Sequence, residues 1–348
     1  MKVGSEVSEA RSKPTEEGST RLTPHASPLT LSLGPLQYYW PREEVLAFYD
    51  AAANWPVARI YLGETVCFRR HQLRLPDWLD IADKLAAAGK EVVLSSQILI
   101  EAEPELKVVR KLVGNGRFLV EANEWGAVRL LVREGLPFVA GPTLNVYNQE
   151  TLSVLADVGA KRWLPPVEMS RATLAALLER VRNPHPRPLP QGGEGDAAPL
   201  RDARLGDDIE TEVFAYGKLP LAYSARCFTA RHYNLPKDDC QFRCLDHPDG
   251  LLLSTREGEP FLTINGIQTQ SAGVYSLLGE IASLRELGVA SLRLSPQSRH
   301  MGRVVEAFHA ALSGENVAAD ALARFMPGKP VNGYWHGRAG LENSGNHA

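Results

Sequence analysis

The strongest constraint on the fold is a regular alternation of strand-like and helix-like segments that begins at residue 29. Such alternation favours a parallel sheet, because parallel neighbours need a crossover connection that is usually a helix. About eight strand–helix units in roughly 290 residues are typical of a (β/α)8 barrel. The predicted fold class is therefore α/β and TIM-barrel-like, in regular or distorted form. An open doubly wound sheet stays as the alternative, because periodicity does not report closure.

The pattern also predicts where the individual elements lie. Strands are expected over residues 29–39, 58–63, 91–96, 117–121, 138–145, 162–165, 209–216 and 290–294. Helices are expected to begin at Pro41 and near Asn123, and to cover residues 76–88, 104–113, 148–159, 171–182, 274–287 and 304–312. Residues 251–255 and 260–265 predict an extra hairpin after the seventh strand.

Three segments interrupt or flank this alternation. Residues 1–28 are polar and aperiodic, which predicts a disordered tail. Residues 183–208 are rich in proline and glycine, which predicts a surface insertion in a helix-to-strand loop. We expect residues 29–325 to form a single barrel-like domain of the catalytic type and residues 326–348 to form a C-terminal tail.

Composition narrows the class of protein. The chain is 44% hydrophobic and 23% charged, as in soluble globular proteins. A formal net charge of -3 without a basic stripe disfavours nucleic-acid binding. Neither an apolar run of about 18–20 residues nor the apolar centre of a secretory signal is present. We therefore expect a cytoplasmic protein without a transmembrane segment, in which thiols stay reduced.

The cysteines indicate the site. Three of the four, Cys227, Cys240 and Cys244, lie close together in sequence, and Cys67 lies far upstream. Four thiolates suit a tetrahedral zinc site or an iron–sulfur cluster. Cys67 follows the second predicted strand and the other three follow the seventh. Loops after parallel barrel strands open on one face, so we predict one centre with these four residues as metal and cofactor ligands.

The spacing bears on which metal these residues bind. Structural zinc usually takes two close cysteine pairs, whereas here only Cys240 and Cys244 form one. Spread thiolates are at least as compatible with a 4Fe-4S cluster. Three histidines near the cysteines in sequence are interpreted as solvated loop residues: His71, His232 and His247.

Other polar residues are expected on the same rim, each more often structural than catalytic. These are Glu64, Glu121, Asn145, Glu212, Tyr223 and Arg226. Glu121 and Glu212 are candidates to pair with arginines such as Arg226 or Arg231. No catalytic residue is assigned from the sequence.

Residues 212–227, EVFAYGKLPLAYSARC, resemble the signature of the collagenase-like peptidase family, whose proteins have a barrel-type catalytic domain. Tyr216 stands where the family pattern expects histidine, and Pro220 stands where it expects a further cysteine. Those departures, with residues 63–67 (GETVC) and 225–232 (ARCFTARH), resemble the UbiV branch of that family.

This resemblance implies a 4Fe-4S cluster on four cysteines that match Cys67, Cys227, Cys240 and Cys244. It also implies a heterodimer with a UbiU-like protein and a UbiT-like lipid carrier as an accessory partner. The implied role is that of an iron–sulfur subunit in oxygen-independent ubiquinone biosynthesis, where the complex supports anaerobic hydroxylation of a ubiquinone precursor.

Two other functions stay open. A metal-dependent collagenase-like peptidase would need an open metal position or an activated nucleophile, and Ser224 with His232 is a conceivable pair. Histidine and cysteine are missing at Tyr216 and Pro220, which disfavours that reading. The third reading is a non-catalytic module in which zinc stabilises a partner-binding surface.

Overall fold

The computed structural model describes residues 28–182 and 209–344. The strands are β1 (Thr30–Leu33), β2 (Arg59–Leu62), β3 (Glu91–Ser95), β4 (Leu119–Ala122), β5 (Phe138–Ala140), β6 (Ala160–Trp163), β7 (Glu210–Tyr223), β8 (Leu251–Ser254), β9 (Pro260–Asn265), β10 (Gln268–Ser276), β11 (Ser291–Leu294) and β12 (Pro330–Val331). The α-helices are α1 (Arg42–Ala52), α2 (Leu75–Ala87), α3 (Glu103–Val113), α4 (Trp125–Arg133), α5 (Gln149–Asp157), α6 (Arg171–Arg182), α7 (Phe228–His232), α8 (Ile281–Glu286) and α9 (Met301–Leu312).

Within the described residues, eight parallel strands close into a barrel. Strands β1 to β7 pair in sequence order, and β11 pairs in parallel with both β7 and β1. Leu33 of β1 lies opposite Ile60 on one side and Leu294 on the other. The predicted (β/α)8 barrel is therefore confirmed, and the open sheet is wrong, because β11 joins the two edges that an open sheet would leave unpaired.

The helices cover the outside of the barrel with one apolar face each. Helix α2 shows the local reasons: Pro76 lies in its first turn and Gly89, at φ +81°, follows its end. Its buried side chains, Trp78, Ile81 and Leu85, recur at helical spacing and pack on the strands. A smaller apolar cluster inside the barrel contains Tyr61, Val93, Val139 and Leu164.

An antiparallel extension follows β7 and carries part of the chain beyond the barrel. Strands β8 and β9 form the predicted hairpin, and β10 pairs with both β9 and β7. The helix predicted over residues 274–287 is wrong in its first part, where residues up to Ser276 belong to β10 and only Ile281–Glu286 is α-helical. Val274 and Tyr275 are buried in that sheet, so pairing with β7 overrides the helical period.

The chain after α9 returns to the extension. Strand β12 pairs in parallel with β10, and Trp335 beyond it is buried. The predicted insertion at residues 183–208 and nearly all of the predicted tail at residues 1–28 lie outside the described residues. No helix in the part of the chain that the structure describes is long and apolar enough to cross a membrane.

Candidate metal centre

The two cysteine-bearing segments meet at the carboxyl end of the barrel strands. Cys67 lies in the loop after β2, and the other three cysteines follow β7. Arg69 Nη2, next to the Cys67 loop, donates a hydrogen bond to the carbonyl oxygen of Asp238 at 2.5 Å. The ring of Phe242, between Cys240 and Cys244 in sequence, packs 4.9 Å from the ring of His71. The remote cysteine and the clustered ones thus share one rim.

A tight turn positions Cys67. Gly63 ends β2 at φ +134°, and a Cβ there would lie 2.6 Å from the carbonyl oxygen of Ser95, so only glycine fits without strain. The Glu64 carboxylate then accepts hydrogen bonds from the backbone N–H groups of Val66 and Cys67, each at 3.0 Å. These contacts fix the backbone of the loop at Cys67.

Arg70 is buried among the thiols. Its Nη1 donates to the carbonyl oxygen of Gln37 at 2.7 Å, and its Nη2 donates to Oδ1 of Asn265 at 2.6 Å. It interacts electrostatically with Cys67 and Cys244. The Nε atom has no hydrogen-bond partner among the described residues. A buried cation with an unused donor therefore lies beside two of the predicted ligands.

Three of the thiols influence one another. Burial raises the pKa of Cys67 to about 11, against the opposing effect of Arg70, and Cys227 contributes to the increase. Burial also raises the pKa of the Cys244 thiol, again with Arg70 opposing and Cys227 contributing. Sγ of Cys227 caps α7 by accepting a hydrogen bond from Ala230 N at 3.4 Å. Without a bound cation, Cys67 and Cys244 are thiols at neutral pH, so metal binding must displace protons.

Cys240 is placed less directly. It ends the short 3-10 helix Lys237–Asp239, whose Asp238 contacts Arg69 of the opposite loop. All four cysteines are free and partly buried. In residues 28–182 and 209–344, no three His, Cys, Asp or Glu side chains are arranged so that they could hold a metal ion. The four-ligand set stays a prediction, which the number of thiols and the unused donor of Arg70 fit chemically.

The neighbouring histidines have other contacts. A ring nitrogen of His71 hydrogen-bonds to the carbonyl oxygen of Arg69 at 2.6 Å. The Nε2 atom of His247 hydrogen-bonds to the Tyr233 hydroxyl at 2.7 Å. His232 is exposed and packs on Tyr233.

The predicted carboxylates on strands belong to the barrel interior. Nη1 of Arg293 donates to Glu121 at 2.6 Å, and its Nε donates to Glu212 at 2.7 Å. The predicted partners Arg226 and Arg231 are wrong, because both lie exposed in the loop region after β7. The true partner lies on β11, where the two-residue period of a strand points it inward.

A chain of polar side chains connects the thiol rim to this interior. Asn265, which accepts from Arg70, donates to Oε1 of Gln268 at 2.9 Å. Gln268 in turn donates to the Tyr223 hydroxyl at 3.0 Å, and Tyr223 interacts electrostatically with Glu121. Burial raises the pKa of Tyr223 far above its ordinary value, so its hydroxyl stays protonated.

The remaining predicted rim residue, Asn145, is exposed and adopts a left-handed conformation at φ +57° after a short 3-10 turn. It touches none of the thiols among the contacts of the described residues, which leaves it a turn residue.

Comparison with known proteins supports a family assignment. Residues 43–321 match the model of the family described as Peptidase family U32. The chain belongs to Peptidase family U32. This membership confirms the resemblance to collagenase-like peptidases that residues 212–227 indicate.

Solved structures with a similar backbone trace have low sequence identity to this chain. The U32 peptidase Mk0906 is 13% identical, with 83% of this chain and 98% of that chain covered, at a TM-score of 0.42. The spore cortex-lytic enzyme SleL of Bacillus megaterium is 8% identical, with 82% and 75% covered, at a TM-score of 0.39. Dihydropteroate synthase from Thermus thermophilus is 12% identical, with 82% and 93% covered, at a TM-score of 0.38.

Two residues of this U32 domain were not singled out from the sequence. Arg70 follows Cys67 by three residues, and consecutive arginines next to a predicted ligand are a usable signal. Arg293 lies between two leucines in a short buried strand, where a charge implies a buried partner. Neither signal reveals which carboxylate or thiol the guanidinium meets, because that depends on the closed barrel.

Proposed function

We propose that this U32-family chain is the iron–sulfur subunit of a UbiU–UbiV-type complex that hydroxylates a ubiquinone precursor without oxygen. One observation carries the proposal: the Cys67 loop and the segment with the other three cysteines meet around the buried Arg70. An anionic cluster held by thiolates requires several thiols, here from two distant segments of the chain, and is stabilised by a buried cation.

In this proposal Cys67, Cys227, Cys240 and Cys244 hold a 4Fe-4S cluster. Such a cluster supplies one-electron chemistry when it is bound. Arg70 offsets its negative charge, and its Nε–H group, which has no partner within the described residues, is available to donate to a sulfur atom. The rim loops exclude water from Cys67 and Cys244, whose thiols are mostly buried.

The departures from the family pattern support the non-peptidase reading. Tyr216 is fully buried, donates a hydrogen bond to Oε1 of Gln297 at 2.7 Å and packs edge-on against Phe308. A tyrosine held this way is a packing residue and replaces a histidine that could bind metal or accept a proton. Pro220 lies in the β7–β10 pairing opposite Gln270.

Partners follow from the same proposal: a UbiU-like protein in a heterodimer, a UbiT-like lipid carrier and the precursor itself. The β8–β9 hairpin supports a protein partner, since Leu252, Leu253 and Phe261 are exposed there at 52%, 41% and 54%. Grouped exposed apolar side chains are common in protein interfaces. Strand β8 also ends the sheet order of the described strands and offers an unpaired edge.

A peptidase is the second candidate, favoured by the family's name. Hydrolysis through Ser224 would require a base within hydrogen-bond reach. Oγ of Ser224 instead accepts from the backbone of Arg226 at 3.1 Å, and His232 packs on Tyr233. The described contacts contain no Ser224–His232 hydrogen bond. A module stabilised by zinc is the third candidate, and it requires no hydrogen bond between Ser224 and His232.

The test is anaerobic co-purification with a UbiU-like partner, followed by iron, zinc and sulfide analysis. We expect a brown protein with about four irons and four sulfides per chain. Cys67→Ala is expected to bleach it, and Ser224→Ala is the matched control that keeps its colour. A colourless, zinc-loaded protein would overturn the cluster, and peptide cleavage that depends on Ser224 without iron would favour the peptidase.

A further inference from the structure

A groove of about 860 Å³ opens beside the thiol rim, on the outer side of the barrel. Its inner end is formed by Gly63 after β2 and by residues 95–97 at the end of β3. Its two long walls are the facing sides of α2 and α3. A volume of several hundred cubic ångströms is usual for sites that bind small molecules.

The walls of this groove are largely apolar. Helix α2 contributes Trp78 and Leu79, and helix α3 contributes Val108 and Leu112. Val108 is 39% exposed, and so is Phe68 in the loop after Cys67. Large apolar side chains left partly open on two facing elements favour a ligand with an apolar body.

The charge of the lining has one dominant sign. Arg69, Arg70, Arg74 and Lys111 line the groove, and Glu64 is the one carboxylate that lines it among the described residues. The Glu64 carboxylate is engaged by two backbone N–H groups and by Arg70 at 3.6 Å. Cations that outnumber the carboxylates along an apolar groove attract an acidic group.

Unsatisfied polar atoms of the lining point to the same ligand. The Nε donor of Arg69 has no partner among the described residues, and its nearest carboxylate, Asp238 at 3.5 Å, is 95% exposed. Gln97 is only 7% exposed, and its Oε1 acceptor is also without a partner in the described part of the chain. A buried acceptor of this kind costs free energy unless a ligand or water donates to it.

We propose that the groove binds a small organic acid. Its apolar ring or chain lies between α2 and α3, its carboxylate faces Arg69, and a hydroxyl group donates to Oε1 of Gln97. This site goes beyond the proposed hydroxylation function and does not depend on a metal centre. It places a bound acid next to the loop that carries Cys67.

The test is calorimetric titration of the full-length chain with three matched probes. These are 6-hydroxy-2-naphthoate, the same acid without its hydroxyl (2-naphthoate), and the uncharged 6-(hydroxymethyl)-2-naphthol. The hydroxy acid is expected to bind most tightly, by roughly tenfold over the uncharged probe, because charge-assisted hydrogen bonds contribute that much. Equal affinity for the acid and the uncharged probe would overturn the proposal.

Two variants localise the binding. Arg69→Gln is expected to reduce the affinity for 6-hydroxy-2-naphthoate to that for the uncharged probe. Arg133→Gln is the matched control, because Arg133 lines a separate, smaller groove of about 370 Å³. Val108→Glu changes an exposed helix residue and is expected to abolish binding without unfolding the chain. If Arg69→Gln and Arg133→Gln have equal effects, or Val108→Glu has none, the acid binds elsewhere. The titration requires no iron, so failure of the proposed cluster would leave its result unchanged.

Discussion

Two buried arginines at the carboxyl half of the barrel have different surroundings. Arg293 forms ion pairs with two buried carboxylates, Glu121 at 2.6 Å and Glu212 at 2.7 Å, and lies over the Tyr61 ring. Among the described residues Arg70 has one carboxylate, Glu64, at 3.6 Å. Its shorter contacts are to two neutral carbonyl oxygens, those of the Gln37 backbone and the Asn265 side chain.

Arg293 therefore has a structural role, whereas the charge of Arg70 is available to a further anion. Two carboxylates compensate the charge of Arg293 within the barrel and join β11 to β4 and β7, although its Nη2 atom also has no hydrogen-bond partner among the described residues. Arg70 keeps part of its charge uncompensated beside Cys67 and Cys244. Buried cations are costly unless paired, so an under-compensated one indicates that an anion completes the site.

The largest expected effect comes from the paired arginine. Arg293→Met leaves Glu121 buried without a cation and Glu212 with only Arg162 at 3.7 Å, which should lower the free energy of unfolding by about 3–5 kcal/mol. Urea unfolding followed by circular dichroism measures this. The matched control adds Glu121→Gln and Glu212→Gln to Arg293→Met, and it should recover most of the loss. A loss below about 1 kcal/mol in the single variant would show that the pair is not structural.

A smaller loss is expected at the other arginine. Arg70→Gln removes hydrogen bonds to Gln37 and Asn265 and should cost about 1–3 kcal/mol in the protein without metal. The relative loss of bound iron after anaerobic purification should be far larger than the relative loss of unfolding free energy. Arg70→Lys keeps the charge without the planar fork and should retain an intermediate amount of iron. Equal destabilisation by Arg70→Gln and Arg293→Met would remove the contrast between the two regions.

The ion pairs of Glu212 also predict how the free energy of unfolding depends on pH. Burial alone would raise the pKa of Glu212, but Arg293 and Arg162 lower it overall, below its ordinary value of 4.5. A lowered pKa in the folded state stabilises the fold above 4.5, and this stabilisation is lost as the pH falls through the folded-state pKa. As the pH falls below 4.5, the unfolding free energy of the unmodified chain should therefore fall more steeply than that of Glu212→Gln. Parallel slopes for the two proteins would contradict the assignment.

The smallest effect is expected for an exposed pair far from both regions. Arg303 and Glu306 form an ion pair at 2.9 Å with both side chains largely exposed. Arg303→Ala should change the unfolding free energy little, because solvent and salt screen such pairs. This variant sets the baseline for the urea series, and a loss as large as that of Arg70→Gln would show that the assay does not resolve burial.

Much of the scaffold could be predicted from local pattern. Alternating apolar segments located the barrel strands, and Pro76 and Gly89 marked the ends of α2, because these signals act within a few residues. The placement of Cys67 on the same rim as Cys227 followed from strand order alone. The pattern failed at residues 268–276, where pairing with β7 decided the conformation.

Sequence alone therefore determined the order of the eight barrel strands, the family and the rim on which the cysteines lie. Tertiary structure decided which polar side chains meet: Arg293 meets Glu121 and Glu212, and Arg70 meets Asn265 and Cys244. The physical reason is the sequence separation over which each interaction acts. Periodicity and capping depend on neighbouring residues, whereas these contacts join strands and loops far apart in the chain and exist only once the barrel has closed.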